Sequence, residues 1–269
     1  MNLTAWNLDD VCSRVDLGSE APEIDLSGVT FIEPFALIYL GMFLRYFNAR
    51  GKRFRVNLPG TDAQRYLARQ NFFDRFNFDP ATISDELLRR FTTATSLNDI
   101  VDIERRPGID EEVAQRVRRV AANNGASLDL ALLEEIAAEL VSNFARHSQG
   151  PLAALMMQYY PKLRIIRLAV GDCGIGIRSS LSSNAAYASL ATRPHYAAAL
   201  KAFEPGVSRS REGRFGLYTV VENVKDMGGD LILATGNGYV RTFRSRTLRY
   251  GEMSFDLSGV QIEVSIPTG

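Results

Sequence analysis

The chain has 269 residues, room for about two domains, and its 46% hydrophobic and 23% charged content speaks for folded structure and against disorder. Thirty-one basic residues balance thirty-one acidic ones, so no global field draws the protein to nucleic acid or to anionic lipid. Two cysteines (Cys12, Cys173) and two histidines (His147, His195) exclude a disulfide scaffold and offer no zinc-type ligand spacing.

From the N-terminus, Met1–Asp10 has no basic cluster leading into an apolar run, so no secretory signal is expected and the predicted location is cytoplasmic. Glu23–Leu26 reads as a short strand ended by Ser27-Gly28. Pro34 suits a first helical turn, and Phe35, Ile38, Tyr39, Met42, Phe43 and Tyr46 follow at helical spacing until Gly51. The uncharged stretch from Pro34 to Leu44 is too short to span a bilayer, so no membrane partner is expected. Arg53–Leu58 alternates like a strand, Pro59-Gly60 turns the chain, and Thr61 or Asp62 caps a second helix through about Gln70. The pattern predicts a β-α-β-α module with parallel strands.

Periodicity weakens between Asp79 and Pro107, which places a boundary there: a module over 1–90, a linker over 91–109 and a second domain over 110–269. Helices are predicted over Asp110–Asn123 and Leu128–His147, then strands near Leu155–Tyr159 and Leu163–Val170. A Gly-rich turn (Gly171–Gly176) opens into some thirty residues rich in Ser, Ala and Arg, with a further helix over about Phe215–Met227. The remainder reads as antiparallel strands: Leu231–Thr235, a Gly236-Asn237-Gly238 turn, Tyr239 onward, and Val260–Ile266.

Three motifs carry chemistry. Glu139 and Asn143, four apart, share a helix face. The Asn143 amide oxygen suits Mg²⁺, and the Glu139 carboxylate could orient or deprotonate a water as a catalytic base. Asp172 follows a buried strand and could accept a hydrogen bond from an amine such as adenine N6, where guanine presents a carbonyl. Gly174 and Gly176 let the backbone bend close to a ligand. Gly213 and Gly216 bracket a helix start whose free N–H groups suit phosphate oxygens, with Arg146 and Arg214 supplying positive charge. Each signal is common alone; their order on one chain is specific.

In that order, from about Asp110 to Gly269, the chain resembles the GHKL ATPases, the fold of histidine kinases, anti-sigma kinases, gyrase and Hsp90 chaperones. The resemblance implies a C-terminal Bergerat α/β sandwich binding ATP and Mg²⁺, with Asn143 at the metal, Asp172 at adenine and Glu139 as base. Gly174, Gly176, Ile177, Gly213, Gly216 and Leu217 would shape the pocket and its lid, and Arg146 and His147 fall where relatives contact the nucleotide. Three positions depart from the pattern: Phe144 stands for the usual Ala, Val260 for a water-binding Thr, and Gly213-Arg-Phe-Gly216 holds fewer glycines. The stretch from about Glu23 to Phe76 more loosely resembles a STAS-like domain, with Glu33-Pro34-Phe35-Ala36 where the antagonists carry a phosphorylatable Ser.

These readings together predict an α/β protein, a small STAS-like module followed by a GHKL domain. It would be a regulator in which bound Mg·ATP orders a lid (Arg178–Glu212) and alters contact with an unidentified regulatory protein partner. An ATPase, a serine/threonine protein kinase and a scaffold without nucleotide are the alternatives, and homodimerisation is left open. His195 is expected at the solvated surface, Arg241, Arg244, Arg246 and Arg249 along a solvated edge, and Phe72-Phe73 in packing.

Overall fold

The computed structural model describes residues 1–57, 60–76, 100–207, 216–243 and 248–269. Four short strands open the chain: β1 (Asn2–Leu3), β2 (Glu23–Asp25), β3 (Phe31–Ile32) and β4 (Arg55–Asn57). They pair in parallel, β1 with β3 and β2 with β4. Parallel neighbours need crossovers, which α1 (Leu8–Ser13) and α2 (Pro34–Asn48) supply. Glu33 is extended before Pro34, whose fixed φ suits the first turn of α2. Every residue of α2 from Pro34 to Leu44 is buried, so the helix is apolar on all sides because protein lies on all sides. Helices α3 (Thr61–Arg69) and α4 (Phe72–Arg75) complete the module, with Phe72 and Phe73 fully packed.

A second layer of helices is formed by α5 (Ile109–Asn123) and α6 (Leu130–Asn143). The Asp129 carboxylate caps α6, accepting from Ala131 N–H at 2.9 Å and Leu132 N–H at 3.1 Å. The predicted helix to His147 stops being α-helical at Asn143: Phe144–Ser148 is a π turn, and Gln149 then takes φ +59°.

Between module and helices stands a sheet of β5 (Val101–Glu104), β6 (Leu152–Tyr160), β7 (Ile165–Asp172), β8 (Asp230–Thr242) and β9 (Leu248–Pro267). Its order is β5-β6-β7-β9-β8, antiparallel throughout. Strand alternation feeds two cores. Ala153, Leu155, Leu168, Val170, Ile262 and Val264 join the α5–α6 core on the front. Ala154, Met156, Ala169, Ala234 and Leu257 join the core of the N-terminal module on the back.

Two further observations differ from expectation. Val101–Glu104, inside the span predicted as linker, pairs with Leu152–Leu155 and adds Ile103 to the front core, while 77–99 lie outside the described residues. The reversal predicted at Gly236-Asn237-Gly238 occurs within one extended segment, with register shifts against β9 at Gly236 and Gly238. Leu231 N–H donates to Thr242 Oγ1 at 3.2 Å, although a straight strand would hold residues eleven apart about 35 Å from each other. These glycines are required by what packs on them, since a Cβ on Gly236 would lie 2.2 Å from His195 Nδ1 and one on Gly238 2.2 Å from Tyr196 N.

After β7 come α7 (Gly176–Ser182), a 3₁₀ segment (Ala185–Thr192) and α8 (His195–Ala202). Most of the predicted lid, 178–207, is therefore folded helical structure, and 208–212 lie outside the described residues. The last helix is α9 (Leu217–Asp226). Among the described residues no helix is long and apolar enough to cross a membrane.

Candidate functional site

A cleft of about 790 Å³, its open mouth included, lies on the front of the sheet between α6, α7, α9, the end of β7 and the interior of β9. Its mostly apolar lining with a few polar groups is the usual form of a small-molecule site. Seven of the residues singled out from sequence line it: Asn143, His147, Asp172, Gly176, Ile177, Gly216 and Leu217. Glu139 stands half-buried one turn before Asn143, Arg146 is exposed, and neither is on the cleft wall. Gly213 and Arg214 lie outside the described residues, as do Arg244 and Arg246.

Asp172 forms the polar floor. It ends β7 and is 5% exposed, and its Oδ1 accepts from Ser148 Oγ and from Gly174 N–H, each at 2.7 Å. Burial pushes its carboxyl up from the ordinary carboxylate range, and the Ser148 hydroxyl and the N–H groups of Gly174 and Val260 oppose that rise. Apolar walls surround it: Val170, Ile177, Leu181, Leu217, Val260 and Ile262. A buried carboxylate among apolar walls can accept a hydrogen bond from a donor group of a bound molecule.

The loop after Asp172 is set by close backbone approach. Gly174 lies behind the cleft wall, where a Cβ would come within 2.0 Å of the Ser148 carbonyl. Gly176 has φ +72°, and a Cβ there would sit 2.9 Å from Thr235 Oγ1. Thr235 in turn accepts from Ile177 N–H at 3.1 Å and donates to Gly259 O at 2.8 Å. Gly259, at φ +103°, passes so close to Asp172 O that a Cβ would stand 2.0 Å from it.

The π turn carries Arg146, His147 and Ser148 on from α6. Such an extra residue per turn often marks a functional site, and here it swings His147 and Ser148 onto the cleft. Burial raises the Glu139 carboxyl, while the Arg146 guanidinium and the neighbouring Asn143 amide hold it back. The Asn143 amide nitrogen nevertheless is buried without a partner of hydrogen-bonding geometry among the described residues. A buried polar atom without a partner is costly and rare.

Sequence reasoning missed Ser148, Thr235 and Val207. Ser148 carried a signal, as a hydroxyl next to His147 at the end of the motif helix; Thr235 and Val207 carried none. Two expected surface groups are not at the surface. His195 is half-buried against Gly236, burial lowers its pKa, and its Nδ1 is buried without a partner among the described residues. Arg241 is half-buried with its guanidinium over the Trp6 and Phe243 rings, because the N-terminal segment reaches across to this hairpin.

Comparison of the chain with protein-family models and with curated proteins gave no match.

Proposed function

We propose that the front cleft binds ATP with Mg²⁺ in the manner of a GHKL domain, and that its nucleotide state governs contact with a regulatory protein partner through the STAS-like module. One observation carries the reading: Asn143, Asp172, Gly176 and Gly216, spread over more than seventy residues of sequence, line one cleft. The donor set suits this ligand. Asp172 offers a carboxylate acceptor in an apolar slot, which an adenine amine satisfies and a guanine carbonyl does not. Gly216 opens α9, and a helix N-terminus at the cleft suits phosphate oxygens.

Among the described residues no three acidic, Cys or His groups cluster as a protein metal cage. Mg²⁺ does not need one, because it keeps waters and takes phosphate oxygens with one or two protein ligands. Asn143, which lines the cleft and can offer its amide oxygen, is the residue that would hold it. When bound, the ion would neutralise charge on the phosphates. Glu139, its carboxyl raised by burial and one turn from Asn143, favours a second reading in which it accepts a proton from water or a protein hydroxyl, giving ATPase or kinase activity.

Calorimetry with Mg·ATP and Mg·GTP on the wild type and on Asp172→Asn tests the reading. ATP should bind and GTP should not. Losing one charged hydrogen bond should weaken ATP binding by about 10- to 100-fold. Equal affinity for the two nucleotides, or no heat with either, would overturn it.

A further inference from the structure

We infer that α2 of the N-terminal module is a positioning element for Asp172, so that the back of the sheet tunes the ligand preference of the cleft on its front. The inference rests on the reading that Asp172 recognises the ligand base.

The residues on either side of Asp172 point the opposite way along the strand, as strand geometry requires. Both are held by α2. Gly171 lies so close to the helix that a Cβ would stand 2.5 Å from Ile38 Cγ2 and 3.1 Å from Met42 Cγ. Cys173 Sγ donates to the Met42 carbonyl at 3.2 Å and touches Met42 Sδ at 3.6 Å. Burial and the Asp172 charge push the Cys173 thiol up to about 12, so it remains a protonated donor near neutral pH.

The neighbouring strand repeats the arrangement. Val260 and Ile262 of β9 line the cleft, while Gln261 and Glu263 face the module. Gln261 Nε2 donates to Asp172 O at 2.9 Å, and Glu263 Oε2 accepts from Phe35 N–H, in the first turn of α2, at 2.8 Å. The main chain of Asp172 is thus clamped from behind at Gly171, Cys173 and Gln261, and α2 is in turn fixed at Phe35, Ile38 and Met42. Interiors this tightly packed transmit displacement instead of absorbing it. A shift of α2 must move the Asp172 main chain, and a ligand that fixes Asp172 must act on α2 with the same coupling energy.

The test is a double-mutant cycle read by nucleotide binding. Gly171→Ala puts a methyl against Ile38 Cγ2 and touches nothing in the cleft. It should weaken ATP binding by about 2- to 30-fold and narrow the ATP:GTP preference. Ile38→Ala removes the opposing methyl, and the double variant should regain affinity beyond the sum of the two single effects. In the wild type, saturating Mg·ATP should change the alkylation rate of Cys173, followed by mass spectrometry, with Cys12 as internal reference. Absence of ATP binding to the wild type would sink the proposed function and this inference with it. ATP binding with an unchanged Cys173 rate, or with Gly171→Ala folded and of undiminished affinity, would overturn the inference alone. The thiol measurement needs no variant, so it decides the matter even if Gly171→Ala fails to fold.

Discussion

Glu263 stands on β9 behind the cleft and is 5% exposed. Phe35 N–H donates to its Oε2 at 2.8 Å, Ser265 Oγ to its Oε1 at 3.2 Å, and the Arg167 guanidinium lies 3.9 Å away, engaged more closely with Glu33 at 2.9 Å. Burial outweighs these partners and raises the carboxyl from 4.5 to about 7. The fold therefore binds a proton that the unfolded chain has released between those two values. Stability from this group is fully present below about pH 4.5 and is lost as pH rises through about 7. A shift of that size corresponds to roughly 3 kcal/mol, at about 1.4 kcal/mol per pH unit. Glu263→Gln keeps an amide oxygen for Phe35 N–H and has no proton to lose, while Arg167 retains Glu33. Urea unfolding of both proteins from pH 5 to pH 8 isolates the effect, because the other carboxylates are common to both. The variant should gain about 2–3 kcal/mol on the wild type across that range. A stability gap that stays constant with pH would mean that Glu263 is ionised in the fold and that burial does not dominate it.

Two further outcomes are expected. If the protein turns ATP over, Glu139→Gln should abolish turnover, read by phosphate release, and leave calorimetric ATP affinity nearly unchanged; equal turnover would remove Glu139 as base. Gly176→Ala, forced to φ +72° with its methyl 2.9 Å from Thr235 Oγ1, should cost about 1–3 kcal/mol in urea unfolding, and an unchanged midpoint would refute the strain argument.

Much of the front layer was legible in the sequence. Long periodic segments such as Ile109–Asn123, and the Asp-x-Gly-x-Gly turn after an apolar strand, declare themselves because burial enforces their pattern. The back of the sheet was less legible for the same reason in reverse. Val260-Gln-Ile-Glu-Val-Ser-Ile266 alternates as a strand with one wet face would, yet α2 covers that face and Gln261 and Glu263 are buried against it. Polar residues that link two buried layers look in sequence like polar residues facing water. β5 is only four residues long and gains its stability from β6, so nothing local marks it. The π turn at Phe144–Ser148 also has no local signal, since the apolar spacing of α6 runs smoothly into it.

One practical consequence follows from the helix that is apolar on every side. A fragment beginning near residue 110, the cut that the composition invites, would discard the edge strand Val101–Glu104 and strip the cover from Ala154, Met156, Ala169, Ala234 and Leu257. The remaining piece would show water a greasy wall with a stray carboxylate set in it, and the detached module would be left with a helix having nowhere to lie. Whoever wishes to study the cleft in isolation should expect aggregates from such a truncation and keep both halves on one chain.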